Sequence, residues 1–344
     1  MSNHKVFITG ATGFIGSSVA EAFCQAGLQV GCLVRKDSNL RNIAGLPAEL
    51  KYGDLTRQET LAAALEGFDS VVHVAAFANN WGDYSKFMES NVGGTLNLLG
   101  ACLEKGIKDI IITSSTSVYG EEDSKTVKNE QSPLNSHYPY FADRFFPARI
   151  NFYRDTKALE KQKAIEFAEI HGLNLTVIEP VWVYGERGGV PFYMYLQAVK
   201  AGAAFFPGSK RNKFHVVYSR DLARAYLLAH YKKLPGVNCF IIGNSQTEYM
   251  DRVFGLFCQE AGFKKPKNIP KYMVYPLALL LEMPALLFNS KKPPLLTRDA
   301  VNMLYDNNEY SVAKAETVLG FKNEYSLEEG IKRTVQWYKE HHFI

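Results

Sequence analysis

Tyr153 and Lys157 are the residues whose types and spacing point most directly to acid–base chemistry. They stand four positions apart in the segment YRDTK, so a helix would place them on one face, one turn apart. A phenol with a pKa of about 10 exchanges protons poorly at neutral pH, but an adjacent ammonium group favours the phenolate. The spacing alone more often marks an exposed amphipathic helix, so the pair gains meaning only from the rest of the chain.

A run of hydroxyl side chains, TSSTS from Thr113 to Ser117, follows an apolar stretch that is typical of a buried strand. This would put Ser115 at the carboxyl edge of a parallel sheet, where ligands of such folds bind. Ser115 is therefore a candidate to hydrogen-bond a carbonyl oxygen while Tyr153 donates or removes the proton.

The glycine-rich turn GATGFIG, residues 10–16, joins the predicted strand Val6–Thr9 to a predicted helix. This is the context that a dinucleotide-binding loop requires. The first glycine permits a tight turn, the second lets backbone N–H groups approach a pyrophosphate, and the third lets the helix pack on the strand. The expected binding residues are Gly10, Gly13, Phe14, Ile15 and Gly16. With a dinucleotide bound, Lys157 would hold the nicotinamide ribose and lower the pKa of Tyr153.

The end of the second predicted strand indicates which dinucleotide is preferred. A chain that prefers NAD usually carries an acid there for the ribose 2′-hydroxyl, whereas this chain carries Arg35 and Lys36. Two cations pair well with a 2′-phosphate, so NADP is the expected cofactor. Asp37 is an acid close to this position, so NAD remains an alternative cofactor. The simpler alternative is that Arg35 and Lys36 are a solvated basic pair without a ligand.

Seven apolar runs predict the strands that position these residues. They are Val6–Thr9, Val30–Val34, Leu50–Tyr52, Ser70–Val74, Asp109–Thr113, Leu173–Ile178 and Val237–Ile242. Helical patterns ending at Gly27 and Gly67 lie between the first runs, as in repeated βαβ units. The predicted fold class is α/β, a doubly wound parallel sheet of Rossmann type with about seven strands.

Prolines break the chain into short elements from about Gly185 onward, which is typical of a separate substrate lobe. The last predicted strand should return to the main sheet, so the two units interleave. We expect a dinucleotide-binding domain over 1–184 and about 215–243. The smaller substrate lobe would cover about 185–214 and 244–344.

Composition and charge exclude several classes of protein. The 39 Lys and Arg against 35 Asp and Glu leave a formal net charge of +4, too balanced for nucleic-acid binding, so a small-molecule partner is expected. Five cysteines without a CxxC spacing argue against a disulfide framework and a zinc site, and we expect no metal. Without the pattern of a signal peptide, the expected location is the cytoplasm.

The stretch Met273–Phe288 is strongly apolar but contains two prolines and Glu282, and it is too short to span a bilayer. We expect it to form core of the second lobe. The alternative is a lid that rests against lipid, which would give the protein a peripheral contact with a membrane.

Together these motifs resemble the extended short-chain dehydrogenases/reductases, the superfamily of nucleotide-sugar epimerases, dihydroflavonol reductases and 3β-hydroxysteroid dehydrogenases. The resemblance covers essentially the whole chain. The matching segments are Thr9–Gly16, Gly53–Leu55, His73–Ala76, Asn91–Thr95, the Ser115 segment, Tyr153 with Lys157, and Pro180–Gly185. The C-terminal half is most similar to the 3β-hydroxysteroid dehydrogenase and dihydroflavonol reductase branch.

The resemblance implies further roles. The implied cofactor contacts are Asp54 and Leu55 for the adenine, Ala75 and Ala76 for the ribose and pyrophosphate, and Pro180 and Val183 for the nicotinamide. Asn91 would support the catalytic site. Glu179 departs from the pattern, because relatives often have Arg before this proline. Relatives often pair through helices near 87–104 and 153–170, so a homodimer is a further expectation.

The substrate pocket is expected to be apolar, because aromatic residues are frequent near the catalytic positions. The interval between Ser115 and Tyr153 is longer than usual, and it forms either an aromatic flap or a surface loop packing its own aromatics. The candidate substrate residues are Phe77, Trp81, Tyr140, Phe145, Trp182 and Phe192.

The leading hypothesis is an NADP(H)-dependent oxidoreductase that interconverts a ketone and a secondary alcohol on a largely apolar substrate. The first alternative is a nucleotide-sugar epimerase with retained NAD, in which Lys210, Arg211 and Lys213 would meet the diphosphate. The second is a non-catalytic nucleotide-binding scaffold or redox sensor, against which the joint presence of Ser115, Tyr153 and Lys157 counts.

Overall fold

The centre of the protein is a seven-stranded parallel sheet. The computed structural model describes residues 4–120, 125–205 and 212–344. The sheet order is β3-β2-β1-β4-β5-β6-β10, which confirms the predicted seven-stranded α/β fold. Its strands are β1 Lys5–Thr9, β2 Gln29–Val34, β3 Ala48–Tyr52, β4 Ser70–His73, β5 Asp109–Thr113, β6 Asn174–Pro180 and β10 Val237–Ile242.

Helices cover both faces of this sheet because its strands are apolar on both sides. Helices α1 and α7 bury Phe23 and Tyr226 on one face. Helices α2, α4 and α5 bury Leu61, Leu98 and Ala164 on the other. The bounds are α1 Phe14–Gln25, α2 Gln58–Ala64, α3 Tyr84–Phe87, α4 Gly94–Glu104, α5 Ile150–His171 and α7 Ser219–Lys232. A π-helical turn, Met88–Gly93, leads into α4.

Most of the remaining elements build a second hydrophobic core beside the sheet. Rings of Phe192, Phe254 and Phe257 stack within it. Its elements and their neighbours are β7 Trp182–Tyr184, α6 Val190–Lys200, β8 Lys213–Phe214, β9 Val216–Tyr218, β11 Glu248–Tyr249, α8 Met250–Ala261, α9 Lys271–Leu287, α10 Arg298–Tyr305 and α11 Leu327–Glu340. Helices α9 and α10 share a smaller cluster around Val274, Ala278 and Val301. Among the described residues, no helix combines the length and the apolar character needed to cross a membrane.

Helix α9 differs from the expectation that Met273–Phe288 is core. Only Val274, Ala278 and Glu282 of this helix are buried, and all its other side chains are partly or fully exposed. The buried positions follow one another every four residues, so one narrow stripe faces the protein. The rest of the apolar surface lies outside.

Candidate active site

The glycine turn after β1 has the geometry of a pyrophosphate-binding loop. Gly10 has a φ of +73°, and a Cβ there would lie 2.5 Å from the backbone nitrogen of Ala75. A Cβ on Gly16 would lie 2.1 Å from the carbonyl oxygen of Gly10, so only glycine lets α1 approach β1 this closely. Gly13 is exposed, and no atom comes closer than 3.3 Å to its Cβ position. The turn is closed at both ends and open in the middle, where an anion can meet the start of α1.

Two residues of the turn are positioned by the second half of the chain. Phe14 and Ile15 are partly buried at the start of α1. The ring of Phe14 lies so close to Gly188 that a Cβ there would come within 2.1 Å of it. The predicted binding loop therefore packs against the segment that follows β7.

Arg35 and Lys36 are exposed at the end of β2. The Arg35 Nε lies 3.4 Å from Asp37 Oδ1, so the nearest acid is directed at the guanidinium. Partial burial alone would raise the pKa of Asp54. Hydrogen bonds from Thr56 and the nearby charge of Arg35 outweigh it, and the pKa is lowered. Arg35 is thus an exposed cation between two carboxylates at the edge where a ribose phosphate is expected.

The predicted catalytic residues come together where β5 ends against α5. Lys157 is buried, and its Nζ donates to the carbonyl oxygen of Thr113 at 2.7 Å, two residues before Ser115. Ser115 Oγ is partly buried and accepts from the backbone N–H of Ser117 at 3.2 Å. Tyr153 lies one turn before Lys157 on α5 and is also partly buried. The arrangement provides a hydroxyl, a phenol and an ammonium group at one sheet edge.

Asn91 connects two parts of this site. Its Oδ1 accepts from the backbone N–H of Phe77 at 2.7 Å, in the loop after β4. Its Nδ2 donates to Thr156 Oγ1 at 3.3 Å, in the turn of α5 between the tyrosine and the lysine. Asn91 therefore fixes the loop that contains Ala75 and Ala76 relative to α5.

A buried acid, Glu160, lies against Lys157, and the sequence analysis did not single it out. Its Oε2 lies 2.6 Å from Lys157 Nζ, and both side chains are almost inaccessible. Burial raises the pKa of Glu160, while the charge of Lys157 opposes this. The i, i+3 spacing on a helix was the available signal, because it brings the two groups together.

The polar network continues from Glu160 across the sheet. Glu160 Oε1 accepts from Thr95 Oγ1 at 3.1 Å, and the same hydroxyl lies 2.9 Å from His73 Nε2. His73 Nδ1 lies 2.6 Å from Thr9 Oγ1. Burial, with the nearby charge of Lys157, lowers the pKa of His73 to about 3. The imidazole is therefore neutral and held by two hydroxyls.

Glu179 is paired inside the protein. Its carboxylate lies 2.8 Å from Lys161 Nζ and accepts from Tyr119 Oη at 2.7 Å. Burial raises its pKa against the opposing charge of the lysine. This carboxylate acts as an internal partner that joins α5 to β6 rather than as a contact for an anionic ligand.

Pro180 and Val183 lie on the two strands that follow α5. Pro180 is buried at the end of β6, where its carbonyl oxygen accepts from Thr116 Oγ1 at 3.2 Å. Val183 is partly buried in β7, paired with Val217. Leu55 follows Asp54, and a Cβ on Gly94 would lie 3.1 Å from it. These residues border the carboxyl edge of the sheet on both sides of the glycine turn.

The six predicted substrate residues occupy different environments. Phe77 packs edge-on against Phe87, and Trp182 lies 5.8 Å from the ring of Phe214. Trp81 is buried and donates from Nε1 to the carbonyl oxygen of Ser290. Phe192 belongs to the second hydrophobic core and is only 1% exposed, so packing already occupies its ring.

The aromatic segment before α5 is anchored rather than loose. Tyr140 is buried and accepts from Arg154 Nη1 at 3.2 Å, whereas Phe145 is 77% exposed. Arg298 donates to the carbonyl oxygens of Phe141 and Phe146 at 2.6 and 2.5 Å. Some aromatics of this segment therefore pack internally and others face outward.

The cations that would meet a nucleotide diphosphate are only partly described. Lys210 and Arg211 lie outside the described residues. Lys213 Nζ lies 3.8 Å from Glu309 and 4.9 Å from the centre of the Tyr249 ring. These local partners compete with any contact between Lys213 and a diphosphate.

Comparisons with known proteins agree with this geometry. The model of the NAD dependent epimerase/dehydratase family matches residues 6–243. The chain is 25% identical to 2-alkyl-3-oxoalkanoate reductase of Shewanella oneidensis, covering 95% of this chain and 84% of that protein. It is 27% identical to the decarboxylating sterol-4-alpha-carboxylate 3-dehydrogenase of Schizosaccharomyces pombe, covering 98% of each.

Solved structures extend the comparison. The crystal structure of gox2253 is 28% identical with a TM-score of 0.80, covering 99% of this chain and all of that chain. UDP-glucose 4-epimerase of Thermotoga maritima, solved with UDP-glucose, is 22% identical with a TM-score of 0.75, covering 98% and 99%. At that identity the second likeness concerns the fold alone.

Proposed function

Because this chain belongs to the NAD dependent epimerase/dehydratase family, we propose that it is an NADP(H)-dependent oxidoreductase interconverting a ketone and a secondary alcohol on a largely apolar substrate. Family membership and the reductase and dehydrogenase relatives make it an NAD(P)-dependent enzyme acting on CH–OH groups. The observation that carries the proposal is that Lys157, one helical turn after Tyr153 on α5, donates to the carbonyl oxygen of Thr113 at the end of β5, two residues before Ser115.

The three residues divide the work of the reaction. Ser115 donates a hydrogen bond to the carbonyl oxygen, and Tyr153 gives that oxygen its proton during reduction or removes it during oxidation. Among the described residues, Lys157 Nζ has acceptors in Thr113 and Glu160, and its third N–H would serve a nicotinamide ribose hydroxyl. Asn91 keeps α5 in position. The nicotinamide, when bound, supplies or accepts the hydride at the carbonyl carbon.

The proposed cofactor is NADP. Gly10, Gly13 and Gly16 form a turn that fits a pyrophosphate, since side chains at the first and third positions would clash with backbone. Arg35 and Lys36 supply exposed positive charge at the end of β2, as a 2′-phosphate requires. Asp37 is engaged with Arg35, which weakens its case as a ligand of an NAD ribose.

The proposed substrate class is apolar, of a steroid-, flavonoid- or acyl-like kind. Two relatives act, by name, on an alkyl oxoalkanoate and on a sterol carboxylate. Phe77 lies in the loop after β4, where its backbone N–H donates to Asn91, and Trp182 lies in β7. Aromatic surfaces of this kind favour ligands with little charge.

The five cysteines support a reducing compartment such as the cytoplasm. All five lie in the described part of the chain and all are free thiols. Burial raises the pKa of Cys32 and Cys102 to about 12, so neither is a reactive thiolate at neutral pH. This also counts against a thiol-based redox sensor at these two positions.

The test is a panel of hydrophobic ketones and nucleotide sugars. We expect NADPH consumption with one or more ketones and no epimerised sugar. Epimerised sugar without net cofactor turnover would reject the dehydrogenase proposal in favour of an epimerase. Tight NADPH binding without turnover of either class would support the scaffold instead.

A further inference from the structure

Helix α9 exposes a continuous apolar face, which we call the outer face of α9. It is formed by Tyr272, Met273, Leu277, Leu280, Leu287 and, just after the helix, Phe288, each more than half exposed. Their spacing places them along one side of the helix over roughly 25 Å. The opposite side contains Glu282, which is buried against Arg298 at 2.5 Å. The helix is therefore fixed with its charged residue inward and its apolar residues outward.

The aromatic segment before α5 extends this surface. Phe141 and Phe145 are 71% and 77% exposed. The backbone N–H of Phe141 donates to Tyr275 Oη of α9 at 3.4 Å, and Arg298 holds the carbonyl oxygens on both sides of Phe145. The segment and the helix thus form one apolar patch, much larger than the scattered exposed residues of an ordinary surface.

The exposed charges at both ends of α9 are positive. Between residues 262 and 297 the only acidic residue is Glu282, which is buried and paired. Lys264 and Lys267 are exposed before the helix, and Lys291 and Lys292 are exposed after it. Asp143, between Phe141 and Phe145, accepts from the backbone N–H of Ala148 and lies 3.4 Å from His137 Nε2, so it is engaged within its own segment. An apolar strip with lysines at both ends is complementary to the surface of an anionic lipid bilayer, which has negatively charged headgroups outside an apolar interior.

We propose that the outer face of α9, with Phe141 and Phe145, docks on the surface of an anionic lipid bilayer. The helix lies in the plane of the interface. Pro276 and Pro284 leave the carbonyl groups of Tyr272 and Leu280 without their helical donors, which favours a shallow position where water reaches them. A second copy of the chain fits this face less well, because an isologous contact would bring the lysines at the helix ends together. The inference rests on this surface and does not depend on the proposed reaction.

Vesicle sedimentation without substrate tests the proposal. Vesicles of phosphatidylcholine with roughly 30% phosphatidylserine should bind the protein more tightly than pure phosphatidylcholine, and added salt should weaken binding. Leu277→Glu/Leu280→Glu/Leu287→Glu should reduce binding roughly tenfold or more, since charge replaces apolar contact with lipid. Lys291→Gln/Lys292→Gln should weaken binding to the anionic vesicles by about fivefold for each lysine.

The matched control is Ile170→Glu/Tyr231→Glu, which places charge at two exposed apolar positions on α5 and α7. It should bind vesicles like the wild type. All replaced side chains are exposed, and the far-UV circular dichroism and thermal midpoint of each variant should match the wild type. Failure of the wild type to bind either vesicle, or unchanged binding of the triple leucine variant, would overturn the proposal. A dimer dissociated by the triple variant, without vesicle binding, would identify a contact between copies instead.

Discussion

Glu160→Gln tests whether the ammonium group of Lys157 depends on a buried counter-charge. The two side chains are 1% and 2% exposed, and their charged atoms lie 2.6 Å apart. In the variant the ammonium keeps the carbonyl of Thr113 and gains a neutral amide in place of the carboxylate. The buried positive charge of Lys157 would then have no negative charge beside it.

The magnitude follows from burial. Breaking a buried ion pair by removing one partner costs about 3–5 kcal/mol. Glutamine keeps the shape of the side chain and one hydrogen bond. We therefore expect the free energy of unfolding to fall by about 3 kcal/mol, the lower end of this range. The double variant Lys157→Met/Glu160→Leu removes both charges and should recover most of that loss.

The same helix offers a matched control. Lys163 and Glu166 have the same i, i+3 spacing with a distance of 2.8 Å, but they are 48% and 57% exposed. Glu166→Gln should therefore change stability by less than about 0.5 kcal/mol. Urea unfolding of the three variants and the wild type, read by circular dichroism at constant m-value, gives each difference.

Two results would refute this reasoning. A loss below about 0.5 kcal/mol for Glu160→Gln would mean that Glu160 is already neutral in the folded protein, as its raised pKa would allow. Equal losses for Glu160→Gln and Glu166→Gln would mean that burial does not distinguish the two pairs. Either outcome would remove Glu160 as the partner that positions Lys157.

Two further predictions concern the cofactor and acid stability. Arg35→Ala should weaken NADPH binding by about 1.5–3 kcal/mol and leave NADH binding unchanged in calorimetric titrations, because a charged hydrogen bond to the 2′-phosphate is lost; tighter wild-type binding of NADH would support the NAD alternative. His73 has a folded pKa of about 3 against 6.5, so its contribution to stability is present above pH 6.5 and is lost as pH falls toward 3. Between about pH 7.5 and pH 5 this contribution changes by about 2 kcal/mol. His73→Gln should therefore reduce the pH dependence of the free energy of urea unfolding by that amount. An unchanged pH dependence would contradict the burial of a neutral imidazole.

The sheet could be predicted from the sequence because its strands are short apolar runs buried on both faces. Asp109–Thr113 and Val237–Ile242 have the predicted bounds, and no end of the other strands differs from its prediction by more than two residues. The weakest prediction, Leu50–Tyr52, is β3 at the sheet edge, where Ala48–Tyr52 is only partly buried and its pattern is less apolar. Local composition therefore predicts that a strand exists better than it predicts where the strand begins and ends.

The orientation of α9 could not be predicted, because its residues are apolar on nearly every side. A charged residue in such a stretch is expected to face water, yet Glu282 faces inward. It does so because Arg298 from the next helix pairs with it and also binds the carbonyl oxygens of Phe141 and Phe146. Contacts between segments distant in sequence decide this, and no periodicity encodes them.

In the candidate active site, too, local sequence signals could be predicted and contacts between distant segments could not. The glycine turn and the Tyr153–Lys157 spacing are local signals, so they were readable from the sequence. The network from Lys157 through Glu160 and Thr95 to His73 joins three elements and became visible only when they packed together. Phe192 is the opposite case: the sequence analysis made it a candidate substrate residue, and the structure places it in the second hydrophobic core.

Turnover of Tyr153→Phe, measured beside its affinity for NADPH, tests the central claim most directly. The variant lacks only the phenolic oxygen, so the cofactor should bind within a few-fold of the wild type while reduction of a responsive ketone collapses by at least about a hundredfold. Retained turnover with normal NADPH affinity would contradict the assignment of Tyr153 as the group that gives the carbonyl oxygen its proton.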